Sequence, residues 1–168
     1  ACPPTGARKT PLSVADRERL VGAYSELEPW PDTRSALGAW KEKGLKLAPL
    51  ANYSPRMIER LLAHSGLTPF FDTLISTDAI RTFKPDPRAY PPGPARRGLR
   101  AEETVFAAFG GWDAAGARWF GFPTFWVNRL SATPEELAPA PDATGPTLRE
   151  LADFVALGES AAHSMRTS

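Results

Sequence analysis

Cysteine is almost missing from this chain. Cys2 is the only one, which excludes a disulfide within the chain and a cysteine-built zinc site. Histidine is nearly as scarce: His64 and His163 are too few and too poorly placed for a metal constellation. Neither sign of charge is in excess. Lys and Arg number 20 against 19 Asp and Glu, with no basic stripe, so nucleic acid is not an expected partner. No apolar run approaches membrane-spanning length. The opening ACPPTGARKT has no apolar h-region and is not read as a secretory signal, so a cytoplasmic protein is expected. The first residue is Ala rather than Met, which points to a processed or incomplete start.

Proline is abundant, with 18 residues, and it punctuates the chain. Residues 1–12 are polar and rich in Pro and Gly, and a disordered tail is expected there. Ser13 with Asp16 makes a capping-box-like start, and Leu20, Val21, Tyr24 and Leu27 fall on one face of an amphipathic helix. EPWPD then breaks the chain, Asp32 is placed to cap a second helix with Leu37 and Trp40 inward, and Gly44 stops it. Residues 45–51 read as a short buried strand in which Pro49 sits awkwardly, since proline donates nothing to a ladder. Ser54 and Pro55 begin the next helix, whose core face is Ile58, Leu61 and Leu62. His64, in its last turn, reads as a surface or capping residue. Leu74 and Ile75 form another short strand. Ala143 and Thr144 read as an edge strand, and the Thr147–Glu150 box opens a final amphipathic helix. Residues 158–168 read as a flexible tail.

The centre of the pattern is TVFAAFGGWDAAGARWFGFPTFWVNR, residues 104–129. Its unbroken apolar run has the character of a parallel strand covered on both faces. Gly110 and Gly111 permit a sharp turn, Asp113 opens a helix over 114–120, Gly121 stops it, and residues 122–128 supply the next strand. Strands alternating with helices predict an α/β fold, a Rossmann-like parallel sheet with flanking helices. In such sheets sites form beyond the carboxyl ends of the strands. Asn52, Lys84 and Asp113 occupy three such positions, with Lys84 pinned by Pro85 and Pro87. A lysine held beside a carboxylate offsets negative charge. Each residue has a plainer reading: Asp113 as a helix cap, Lys84 as a solvated surface lysine.

Taken together, LANYSP, FKPDPRAY and GGWDAAGARWFGFPTFWVNR, in this order and spacing, resemble the (S)-2-haloacid dehalogenases of the haloacid dehalogenase superfamily. The resemblance runs from about Leu20 to Val155. It implies a Rossmann-like core with a helical cap, no cofactor and no metal, and a small 2-haloacid as substrate. An aspartate at the end of the family's first strand displaces halide from C2, and water then cleaves the aspartyl ester with net inversion. By resemblance Asn52 helps receive the halide, Lys84 balances the site's carboxylates, and Tyr90 and Trp112 border the substrate. Asp113 positions Lys84 and the hydrolytic water. Family members commonly form homodimers.

The departures carry expectations too. Ala51, Ala108 and Gly110 stand where the family has serine, serine and asparagine. No segment resembles the nucleophile strand or most of the cap. On this reading 13–31 is a cap remnant with its return linker, 32–157 is the core, and the chain alone is inactive. The sheet should be interrupted between 45–51 and 104–109. Pro91, Pro92 and Pro94 should delay or break the helix after Tyr90, since proline beyond the first turn costs about 3 kcal/mol. Two other readings compete. A superfamily phosphatase needs a Mg²⁺-binding carboxylate where this chain has the apolar Phe109. A non-catalytic binding module would explain the losses at Ala51, Ala108 and Gly110.

Overall fold

The computed structural model describes residues 12–95 and 98–156. The tails expected at either end lie, apart from Leu12, outside the described residues. The described chain alternates helices α1 (Val14–Ala23), α2 (Thr33–Glu42), α3 (Pro55–His64), α4 (Pro92–Ala95), α5 (Gly111–Phe120) and α6 (residues 148–156) with five short strands. These are β1 (Leu50–Ala51), β2 (Ile75–Ser76), β3 (Phe106–Ala108), β4 (Thr124–Val127) and β5 (Ala143–Gly145). Every pairing is parallel. β1 pairs with β2, and β3, β4 and β5 pair in that order. The expected α/β architecture is therefore present, and the sheet is interrupted between β1 and β3, where the sequence reading expects the interruption.

Covering on both faces follows from the pleat. On β4, Phe125 and Val127 enter a core with Leu37 and Trp40 of α2, Ile58 and Leu62 of α3, Leu67 just after α3, and Leu151 of α6. Trp126 turns the other way, onto Ala108 and Ala114 of β3 and α5. A third cluster, Ala89, Tyr90, Ala117 and Phe122, takes in Leu50 from β1 and Phe106 from β3. The two sheets thus share one underlying core although their facing edges do not pair.

Several boundaries differ from the sequence reading, each for a local reason. The first strand is confined to Leu50–Ala51 because Pro49 offers only its carbonyl, which accepts from the Ile75 N–H at 3.0 Å. The second strand is Ile75–Ser76 rather than Leu74–Ile75. Helix α5 begins at Gly111, with Gly110 as its extended N-cap, so Asp113 is a first-turn residue and not the opener. Gly121 ends it in the left-handed conformation at φ 111°, which a side chain would disfavour. Within the described residues the helix after Tyr90 spans Pro92–Ala95; its start is not delayed, because Pro92 and Pro94 fall in its first turn, where proline is tolerated. Among the described residues the apolar stripe of α1 is little covered: Leu20 and Val21 are 53% and 52% exposed, no residue of the helix is buried, and only Tyr24, just past its end, meets another ring, Tyr53, at 5.8 Å.

The Asp32 side chain makes no cap bond to α2. Its carboxylate instead accepts the Leu148 N–H at 2.9 Å and the Arg129 guanidinium at 2.7 and 3.0 Å, tying the start of α6 to the end of β4. Asp72 accepts the Leu47 N–H at 2.9 Å and Lys41 Nζ at 3.0 Å, holding residues 45–49 against α2.

These carboxylates give the fold an acid limit. The Leu47 N–H and then Lys41 hold Asp72 well below its ordinary range. Arg88 and its N–H bring Asp86 down to about 2. At Asp32, burial pushes upward, but Leu148 and Arg129 outweigh it and the carboxyl titrates low. A carboxyl depressed in the folded state contributes stability that is complete above its unfolded value and lost as pH falls through the folded one. The urea midpoint should therefore hold steady down to about pH 4 and decline from there toward pH 2. The Asp72→Asn chain should show a shallower decline in the same titration.

Candidate active site

Asn52, Lys84 and Asp113 come together beyond the carboxyl ends of β1 and β3. Asn52 does so through the main chain of Lys84. Its Oδ1 accepts the Lys84 N–H at 2.8 Å, and its Nδ2 donates to the Lys84 carbonyl at 3.3 Å. The hydroxyl of Thr77, itself fully buried, donates to the same Oδ1 at 3.0 Å and fixes the amide's orientation. Lys84 is followed by a cis bond to Pro85. The Lys84 side chain then reaches Asp113, with Nζ donating to Oδ2 at 2.6 Å. Lysine and aspartate side chains are only 11% and 8% exposed. Lys84 Nζ also lies 5.5 Å from the centre of the Phe106 ring.

Tyr90 is wholly buried among Phe106, Phe120 and Phe122, and its hydroxyl donates to Asp113 Oδ1 at 3.1 Å. Burial, reinforced by the adjacent Asp113 carboxylate, pushes the phenol far above its ordinary value, so it stays a donor at any working pH. Both oxygens of Asp113 are thus engaged from below, by Lys84 and by Tyr90. Trp112 stands differently: the residue is 39% exposed, and its main-chain N–H donates to Glu135 Oε1 at 3.2 Å. Trp126 Nε1 donates to the Phe109 carbonyl at 2.9 Å and fixes the end of β3. His64 stands apart, exposed beside Glu28. Among the described residues no group of three His, Cys, Asp or Glu is arranged to hold a metal ion.

An ion pair this withdrawn from water is seldom a net source of stability, but removing one partner strands a buried charge. Here the chemistry is simple to state. The pair presents a fixed ammonium and a fixed carboxylate at the mouth of a parallel sheet, able to balance an incoming anion and to orient a water molecule.

The sequence profile of the haloacid dehalogenase-like hydrolases matches residues 3–121. The chain belongs to that family. It is 40% identical over 143 residues to the (S)-2-haloacid dehalogenase of Pseudomonas sp. (strain YL), an alignment covering 85% of this chain and 62% of the relative. The haloacetate dehalogenase H-2 of Moraxella sp. (strain B) is 36% identical over 139 residues, covering 83% of this chain and 62% of that enzyme. The fold superposes on the L-2-haloacid dehalogenase from Xanthobacter autotrophicus with chloropropionic acid covalently bound, with TM-score 0.79 at 32% identity, covering 86% of this chain and 67% of that one. The chain spans less than two thirds of the length of the two curated relatives.

Three residues of the site escaped the sequence reading. Thr77 and Glu135 carry no local signal. Gly116 does: a glycine inside a helix asks for a packing reason. The reason is Tyr90, whose hydroxyl, together with Pro85 Cβ at 2.7 Å, occupies the space a Cβ there would need. Gly116→Ala should therefore destabilise the fold by about 1–3 kcal/mol, despite alanine's better helix propensity. At Gly22 of α1 no atom lies within 4 Å of a built Cβ, so Gly22→Ala should instead raise stability by about 0.5–1 kcal/mol. Paired urea titrations of the two variants read the opposite signs directly.

Proposed function

We propose that the protein carrying this sequence hydrolyses (S)-2-haloalkanoic acids to 2-hydroxy acids through an aspartyl ester. The observation that carries this reading is the buried Lys84–Asp113 pair, 2.6 Å apart, set within segments that match 2-haloacid dehalogenases. A carboxylate oxygen attacks C2 of the substrate, and halide departs with the bonding electrons. Water then attacks the ester carbonyl; one of its protons ends on the 2-hydroxyl of the released acid, the other passes to solvent, and the carboxylate is restored. In this scheme the Lys84 ammonium offsets the crowding of substrate, nucleophile and Asp113 charges. Asp113 anchors Lys84 and accepts a hydrogen bond from the hydrolytic water. One of the two amide N–H groups of Asn52 holds the Lys84 carbonyl, and the other is the donor assigned to the halide. Trp112 walls the substrate at the rim. Tyr90 acts through Asp113, since its buried ring has no open face.

The nucleophilic aspartate has no counterpart among the residues assigned here, so the 168-residue chain by itself should release no halide. The non-catalytic reading draws on Ala51, Ala108 and Gly110, which lack the hydroxyls and amide that the family uses there. Phe109, 54% exposed and apolar, weighs against a Mg²⁺-dependent phosphatase.

One experiment separates these readings. The region of the Pseudomonas sp. (strain YL) enzyme that matches this chain is replaced by this chain's residues, and halide release from (S)-2-chloropropionate is followed by ion chromatography. The 168-residue chain should give the buffer rate and the chimera a measurable rate. Lys84→Ala or Asp113→Asn should lower the chimera's rate by about 10²–10³-fold. A folded chimera with no turnover would favour the binding module. Release above buffer by the 168-residue chain would sink the inactivity claim.

A further inference from the structure

Helix α5 carries Asp113 in its first turn, yet the residue that should cap it cannot. Gly110 is the N-cap, with extended backbone at φ −93° and ψ 139°, and no side chain to accept a first-turn N–H. Its main-chain carbonyl receives the Asp113 and Ala114 N–H groups at 3.1 and 3.0 Å. The space is taken by a neighbour: a Cβ on Gly110 would lie 2.7 Å from the Trp112 Nε1, so a larger residue there would have to displace that partly exposed indole. A side-chain acceptor for the first turn is therefore not supplied by the N-cap itself.

It comes from the loop after β4. Asn128, just past the end of β4, clasps Ala132, with Oδ1 accepting its N–H at 2.8 Å and Nδ2 donating to its carbonyl at 2.9 Å. Ser131 turns the chain with φ 51°. This short staple turns the chain after β4, and Glu135, three residues past Ala132, reaches α5. There Glu135 Oε1 accepts the Trp112 N–H at 3.2 Å, and its Cγ lies 3.6 Å from a Cβ built on Gly111. A carboxylate at a helix N-terminus is also favoured by the helix dipole.

We propose that Glu135 is a positioning residue of the site, a cap supplied by a distant loop that fixes the first turn of α5 and with it Trp112 and Asp113. The assignment of this turn to a site rests on the haloacid reading, but the capping itself does not. Two substitutions separate hydrogen-bond geometry from charge. Glu135→Gln keeps an acceptor oxygen at the same reach and removes the charge. Glu135→Asp keeps the charge and withdraws the oxygen by one methylene.

The test is hydrogen exchange of the full 168-residue chain without substrate, read at the Trp112 amide, with amides of α6 as an internal reference for global opening. In Glu135→Ala and Glu135→Asp the Trp112 amide should exchange about three- to tenfold faster. In Glu135→Gln it should stay near the wild-type rate, and the α6 amides should not change in any variant. Wild-type exchange at Trp112 in Glu135→Ala overturns the proposal, as does a Gln variant that behaves like Ala. Because no substrate is present, a failure of the haloacid reading leaves this result standing.

Discussion

A lysine ammonium and an aspartate carboxylate 2.6 Å apart, each about nine-tenths withdrawn from water, constrain everything around them. Such a pair persists only if both ends are held in register, since the desolvation of each charge is repaid only at good geometry. The chain meets that condition from four directions. Asn52 grips the main chain of Lys84, and Thr77 orients Asn52. Tyr90 supports Asp113 from the aromatic cluster below, and the first turn of α5 sets where Asp113 stands. The apolar walls of Phe106, Phe120 and Phe122 keep water from competing for these bonds. Packing and electrostatics are therefore one problem here. The glycine at 116 is needed because the tyrosine that steadies a carboxylate must press against the helix that carries it.

The same logic makes sense of the replacements. Ala108 is 1% exposed and packs on Ala114 and Trp126. A hydroxyl at that depth would require a partner, and alanine removes the requirement at the cost of a polar group near the site. Gly110 likewise gives up a side-chain cap, and the space is filled by the Trp112 indole. With alanine at 108 and glycine at 110, the end of this strand is small and apolar beside the Lys84–Asp113 pair.

Legibility in the sequence followed the range of the interaction. Where a local rule decides, the reading was sound: Ser54 caps α3 ahead of Pro55, Gly121 ends α5, and alternating strands and helices announce a parallel sheet. The convergence of Asn52, Lys84 and Asp113 was visible because α/β folds gather strand ends in one place. What stayed hidden depends on partners far away in sequence. Asp32 looked like a cap for α2, but Arg129 and Leu148, 97 and 116 residues away, claim its carboxylate. The apolar stripe of α1 predicted burial, yet periodicity says only that a face could be covered, not that these residues cover it. Strand lengths were overestimated where Pro49 cut the ladder short.

The break in the sheet shows how separable these levels are. β1 and β3 do not pair, yet Leu50 from one and Phe106 from the other pack on the same Tyr90 cluster. Beyond their carboxyl ends the Asn52–Lys84–Asp113 chain of bonds crosses the same interval. Side-chain packing beneath and a polar chain above thus link two sheets that no backbone ladder joins. Side chains fix position through shape and bond direction, whereas a ladder fixes it residue by residue. Single substitutions at Asn52, Tyr90 or Gly116 should accordingly destabilise the chain measurably in urea titration, because each disturbs contacts that reach from one of these two sheets to the other.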